Sequence, residues 1–186
     1  MKRIVLLAVC FLASVSSAFA IETDTLAVNH PEYLPTLQIG TVAPEIVAKD
    51  TLGTEIRLSQ FRGRYVVLDF WATWCGDCRR ETPALKELFA KDEYKTIAEK
   101  PVQWIGFSFD DKEQLLRDYL QKNQLPWPQI TNLQRTRQDP TFKAYELHWI
   151  PAFFVIDPEG KIVGKAITAL GLEDELVRIQ AQQHEQ

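Results

Sequence analysis

Cys75 and Cys78, two residues apart, are the side chains with the most chemistry in this chain. Trp74-Cys75-Gly76-Asp77-Cys78 follows an apolar run, Tyr65–Trp71, and opens a segment with helical spacing of apolar residues. A cysteine in the first turn of a helix meets unpaired backbone N–H groups and the positive end of the helix dipole. Both favour the thiolate, the form that attacks a disulfide. A two-residue spacer lets the second sulfur reach the first within one turn. Cys75 is therefore the expected nucleophile, and Cys78 the thiol that resolves the mixed disulfide. Gly76 between them leaves room for a substrate chain to approach.

Two other uses of such a pair have distinct requirements. Half of a zinc site needs two more ligands at suitable spacing. Outside the first twenty residues there is no third cysteine, and His30, His148 and His184 are scattered singly. No metal or other cofactor is expected. A purely structural bridge would close too short a loop to stabilise the fold much by chain entropy.

Several elements must position the pair. Residues 39–64 hold short β-like pieces around a turn signal at Asp50–Gly53, which predicts a small hairpin. Tyr65–Trp71 is a continuous β-branched and aromatic run, as suits a strand covered on both faces. From Cys75 to Lys91 the apolar spacing at Leu85, Leu88 and Phe89 predicts a helix, which Pro83 should kink. Val102–Phe109 reads as a second buried strand and Lys112–Gln124 as a helix ended by Leu125-Pro126-Trp127-Pro128. Thr141–Leu147 reads as a short helix. Phe153–Ile156 and Lys161–Lys165 read as strands joined across Asp157-Pro158-Glu159-Gly160, a strong turn signal. Residues 172–183 close the chain as a helix. Strand-helix-strand implies parallel pairing through a right-handed crossover, and the late hairpin implies antiparallel pairing. The fold class is α/β, a mixed sheet with helices on its faces.

The first twenty residues have another character. Lys2 and Arg3 precede an apolar stretch, Ile4–Ala13, and a small-residue segment ending Ala18-Phe19-Ala20. This is the order of a secretory signal peptide, with cleavage expected after Ala20. An uncleaved anchor and a lipid anchor at Cys10 are the other readings. The stretch is short for a membrane span of about 20 residues, and Val9 stands where a lipid-modified cysteine wants a small neighbour. The expected organisation is a signal peptide over 1–20, an irregular leader over 21–38 and one domain over 39–186. The formal net charge is −4. Residues 1–20 hold two cations and no acid, so cleavage would leave −6. A mildly acidic chain without a Lys/Arg run gives no support for nucleic-acid binding. An exported chain meets an oxidising compartment, and a single close cysteine pair there points to exchange chemistry.

Val67-Leu68-Asp69-Phe70-Trp71-Ala72-Thr73-Trp74-Cys75-Gly76-Asp77-Cys78 resembles the active-site strand and loop of thioredoxins. Pro83 matches that family's helix proline, and Ile150-Pro151 its cis-proline loop. Gly40-Thr41-Val42-Ala43-Pro44, then Leu58-Ser59-Gln60-Phe61-Arg62-Gly63, and an extra segment around Lys112–Pro128, narrow the match. Over about residues 39–183 the chain is similar to the TlpA/ResA-type exported thiol–disulfide oxidoreductases. The resemblance implies a thioredoxin fold with an N-terminal hairpin extension and an inserted helix. It implies that Asp69 is the buried acid that exchanges a proton with the second cysteine. A carboxyl in that place should have a raised pKa, as proton transfer near neutral pH requires. Pro151 would sit cis against the sulfurs, and the backbone of Ile150 would pair with substrate. Trp71 and Trp74 would shield the pair or simply pack, and packing accounts for Trp127 and Trp149.

The resemblance further implies reduction of exported client proteins, with electrons from a membrane-bound donor, in the periplasm or cell envelope. Cytochrome c biogenesis is one such setting. An oxidant or isomerase would run the same chemistry in reverse. A redox-inert thioredoxin-like binding module and a peroxidase are further readings. The peroxidase lacks support, because Thr73 stands two before Cys75 and no proline stands in that loop. Asp77 departs from the thioredoxin pattern, which has proline there, and its charge should disfavour the thiolate. The strand Val102–Phe109 offers no lysine to partner Asp69.

Overall fold

The computed structural model describes residues 32–184; the predicted signal peptide lies outside them, as does most of the predicted leader. The strands are β1 (Val47–Asp50), β2 (Glu55–Arg57), β3 (Tyr65–Trp71), β4 (Thr96–Ile97), β5 (Lys100–Ser108), β6 (Gln129–Thr131), β7 (Ala152–Ile156) and β8 (Ile162–Ala166). The helices are α1 (Gly76–Ala90), α2 (Glu113–Asn123), α3 (Pro140–Ala144) and α4 (Ala169–His184). The main sheet runs β2-β1-β6-β5-β3-β7-β8, and β4 pairs with β5 off this path.

β3 lies at the middle, with all seven residues buried. β5 runs parallel on one side and β7 antiparallel on the other. Helices cover both faces, which is why the strand needs no polar alternation. Val67 and Tyr65 pack with Leu85 and Leu88 of α1 and with Leu172, Leu176 and Ile179 of α4. Val66, Leu68 and Phe70 turn the other way, against Leu116 of α2, Tyr145 and a group of phenylalanines. Phe70 stands among Phe107, Phe109, Tyr145 and Phe154, with ring centroids 4.9–5.9 Å away. Tyr145 is fully buried, and its hydroxyl donates to the Pro44 carbonyl at 2.7 Å.

Two strands were not foreseen. β6 follows the breaker Leu125–Pro128, pairs parallel with β5 and antiparallel with β1, and so joins the N-terminal hairpin to the main sheet. It is three residues long, too short for a periodic signal. β4 has two residues and shows no sequence pattern either. Pro83 lies inside α1, which continues as one helix through it. The turn before β8 is closed by Gly160 at φ +88°, with the Asp157 side chain accepting from the Lys161 N–H at 2.7 Å.

Residues 36–43 run beside β8. Gly40 donates to Ile162, Ile162 to Thr41, and Ala43 to Gly160 through their backbones. The Lys165 ammonium donates to the carbonyls of Pro35 and Leu37.

Candidate active site

The cysteine pair forms where β3 ends and α1 begins. Cys75 is the N-cap of α1, with extended backbone (φ −77°, ψ 114°), and its Sγ accepts the Cys78 backbone N–H at 3.1 Å. The sulfur of Cys75 thus takes the place that a serine or aspartate oxygen takes at other helix starts. Cys75 and Cys78 are disulfide-bonded. Their exposures are 7% and 3%. Cys75 lines the adjoining groove and Cys78 does not. An incoming sulfur therefore reaches Cys75 first.

The loop ahead of the pair is pinned to the end of β5. Asp110, 2% exposed, accepts from the Thr73 N–H at 3.0 Å, the Thr73 hydroxyl at 2.6 Å and the Ser108 hydroxyl at 2.6 Å. The Trp74 indole N–H donates to the Phe109 carbonyl at 3.3 Å. Trp71 is buried, and its indole N–H donates to Gln129 Oε1 at 2.8 Å. Trp74 is 43% exposed and stands beside the Arg135 guanidinium, 5.7 Å from its ring centroid. Of the two tryptophans, Trp71 packs in the core and Trp74 forms a wall of the groove.

The peptide bond Ile150–Pro151 is cis. The Ile150 carbonyl oxygen lies 3.4 Å from Cys75 Sγ, within reach of a thiol proton once the pair is reduced. Between this loop and the start of α1 is a groove of about 400 Å³, lined by Trp74, Cys75, Gly76, Trp149 and Ile150 among others. Gly76 has room to spare: an added Cβ would meet nothing of this chain closer than Arg80 Nη1 at 3.7 Å.

Trp149 packs on a loop residue and not in the core, and it also makes a polar contact at the groove. It is 47% exposed, its ring tilts against Tyr33 at 5.5 Å, and its indole N–H donates to Asp77 Oδ2 at 3.1 Å. Asp77 also forms an ion pair with Arg80 one turn along the helix. The carboxylate expected to oppose thiolate formation is thus partly neutralised by a cation and an N–H donor. A half-exposed tryptophan two residues before a proline carries no sequence signal that separates binding from packing. Arg80 is legible only as an i,i+3 partner of Asp77.

Asp69 is 3% exposed. Its pKa is raised to about 7, because burial penalises the charged carboxylate. The opposing influence is the Trp127 indole N–H, which favours the anion. The two do not close a hydrogen bond: Asp69 Oδ1 and Trp127 Nε1 are both buried without a partner. Among the described residues no cation contributes to the titration of Asp69. Trp127 does pack, against Phe89 and Trp104 at 5.6 and 5.5 Å. The sequence carried no sign that its N–H faces the acid.

This arrangement supplies an outer sulfur that accepts a helix N–H, a second sulfur bonded to it, a buried carboxyl poised near neutrality and an open groove. Chains similar to this one point the same way. Residues 39–165 match the AhpC/TSA family. The chain is 34% identical over 131 residues to the thiol-disulfide oxidoreductase ResA of Bacillus cereus, covering 70% of each chain. It is 30% identical over 129 residues to ResA of Bacillus subtilis, covering 69% of this chain and 66% of that one. Among solved structures, the thioredoxin domain of a thiol-disulfide oxidoreductase from Bacteroides vulgatus superposes with a TM-score of 0.65 at 31% identity, over 77% of this chain and 98% of that one. A DsbE-type thiol:disulfide interchange protein from Chlorobium tepidum gives 0.66 at 25% identity, over 78% and 99%. The chain belongs to the AhpC/TSA family and is a thiol–disulfide oxidoreductase of thioredoxin fold.

Proposed function

We propose that the protein reduces disulfides of exported client proteins, with Cys75 as attacking and Cys78 as resolving thiol. The observation that carries the roles of the two thiols is the position of Cys75 Sγ. It accepts a helix N–H and faces a groove, while Cys78 stays behind it. The Cys75 thiolate attacks one sulfur of the client bond, which breaks, and the departing client thiolate takes up a proton. Cys78 gives its proton to ionised Asp69 and attacks Cys75; the Cys75–client bond breaks, the second client thiolate leaves, and the Cys75–Cys78 disulfide remains. The two client thiolates take their protons from solvent, to which Asp69 returns its own, and two electrons have passed to the client. An equal number must return from a reductant, and a membrane-bound dithiol donor suits an exported compartment.

The client backbone pairs beside Ile150 and Pro151, strand to strand. Trp74, Gly76 and Trp149 flank it. The N-terminal residues 1–20 act as a cleaved signal, placing the protein in the periplasm or cell envelope. No helix among the described residues is long and apolar enough to cross a membrane. Reduction of apocytochrome cysteines is one task of this class.

The oxidant or isomerase direction keeps a specific argument. The helix N–H on Cys75 Sγ stabilises the thiolate, hence the reduced form, and Arg80 weakens the opposition of Asp77. The equilibrium potential in glutathione buffers decides the direction. A value well below the compartment's poise is expected; one well above it reverses the assignment. Cys75→Ser should abolish disulfide reduction. Cys78→Ser should accumulate mixed disulfides with clients on non-reducing gels, and their absence removes Cys78 as resolver.

A further inference from the structure

A row of residues crosses the sheet through Asp69. By strand register Phe153 of β7 pairs with Asp69, Asp69 with Gly106 of β5, and Gly106 with Gln129 of β6. Gly106 is where this row needs a glycine. A Cβ there would stand 2.2 Å from Gln129 Oε1 and 2.6 Å from Nε2, so the Gln129 amide occupies the volume a side chain would take. From that place the amide makes two bonds. Its oxygen accepts from the Trp71 indole at 2.8 Å, and its nitrogen donates to the Trp127 carbonyl at 3.1 Å. Gln129 therefore ties the tryptophan four residues before Cys75 to the tryptophan facing Asp69.

The unsatisfied atoms give this tie its meaning. A buried N–H without an acceptor is costly, and the Trp127 indole N–H is such a group, as is Asp69 Oδ1 on the acceptor side. Each is what the other lacks. A protonated, neutral Asp69 asks little of a donor. An ionised Asp69 asks much, because a charge-assisted bond is roughly twice as strong as a neutral one. Among the described residues no other charge shifts Asp69. Register neighbours Phe153 and Gly106 have none, the buried residues of α1 are Cys78, Leu85 and Leu88, and the buried side chains of α4 are apolar. Cys78 is the titratable group among them.

We propose that the Trp127 indole N–H, on a backbone that the Gln129 amide ties across Gly106, is the hydrogen-bond donor on which the Asp69 carboxylate closes when it ionises. The inserted segment that carries Trp127 thus stands in for the lysine that β5 lacks. Trp127 and Gln129 are positioning residues for the proton step, and the inference rests on Asp69 as proton acceptor of Cys78. Removing the donor leaves the anion with burial alone, so the acid holds its proton to higher pH.

The test is the titration of Asp69 in the full reduced chain, read from its carboxyl carbon by NMR, beside the pH–rate profile of disulfide reduction. Trp127→Phe should move the Asp69 midpoint alkaline by about one unit and slow reduction several-fold at pH 7, with recovery at higher pH. Gln129→Met, which keeps volume and loses both amide bonds, should move it the same way by less. Trp104→Phe removes an indole of the same aromatic cluster and should leave the midpoint in place. In an Asp69→Asn background, Trp127→Phe should leave the pH–rate profile unchanged. An Asp69 midpoint that stays put or moves acidic in both Trp127→Phe and Gln129→Met overturns the inference. So does an equal alkaline shift in Trp104→Phe. A rate profile indifferent to Asp69→Asn, with the NMR shift intact, instead removes Asp69 from the mechanism and leaves the donor assignment standing.

Discussion

Asp69 and Asp110 are both buried acids beside the same active-site loop, and they are provisioned in opposite ways. Asp110 accepts three hydrogen bonds and fastens Thr73 to β5. Asp69, two residues before the end of β3, has an oxygen with no partner and a pKa raised to about 7. A buried carboxylate with its donors in place is a structural clamp. One denied them is a proton store whose charge the fold resists. Burial alone does not distinguish the two; the inventory of donors does.

The comparison can be broken by pH. Asp69 has its folded pKa above the unfolded value of 3.8. Below that value both states are protonated. Between about 4 and 7 the unfolded chain ionises first, so stability falls as pH rises, and the loss is complete above 7. The expected fall in the oxidised protein is on the order of 3–4 kcal/mol, read as urea midpoints at pH 4.5 and pH 8. Asp69→Asn should flatten it, and an unchanged slope would mean that Asp69 is solvated or paired.

Asp110→Asn should act on the other half of the contrast. It puts N–H groups where the loop presents donors, so stability should drop by about 2 kcal/mol at pH 4.5 and pH 8 alike. The pH–rate profile should keep its shape. A displaced profile would give Asp110 a share in the proton chemistry.

Asp77 sharpens the comparison with an exposed carboxylate, paired with Arg80 and Trp149. Arg80→Ala uncovers its charge near Cys75, disfavours the thiolate and should lower the reduction potential by about 5–20 mV, the range an exposed pair supports. Asp77→Asn should raise it by a similar amount. Equal potentials in all three proteins would show that the ion pair does not reach the sulfur.

The sequence carried far into this site, and its limit is physical. Cys75 and Cys78, the flanking strand and helix, Ile150-Pro151 and the raised pKa of Asp69 follow from local pattern and resemblance. Asp110, Gln129, Trp127 and Trp149 were invisible as site residues. Each acts by meeting a partner brought from elsewhere in the chain, Gln129 reaching Trp71 across 58 positions. β6 was missed for the same reason: three residues after a proline become a strand because β5 and β1 flank them, a fact of the sheet and not of their own spacing. Gly106 gave no sign of its purpose, since what it accommodates is the side chain of a neighbouring strand.

The segment lying along β8 protects the molecule from itself. Its last strand would otherwise present free amides and carbonyls, an open invitation to pair with another copy. The bonds from Gly40, Thr41 and Ala43 occupy that margin with the chain's own backbone. Proteolytic trimming past Ala43 would therefore bare a sticky margin before it touched the cysteines.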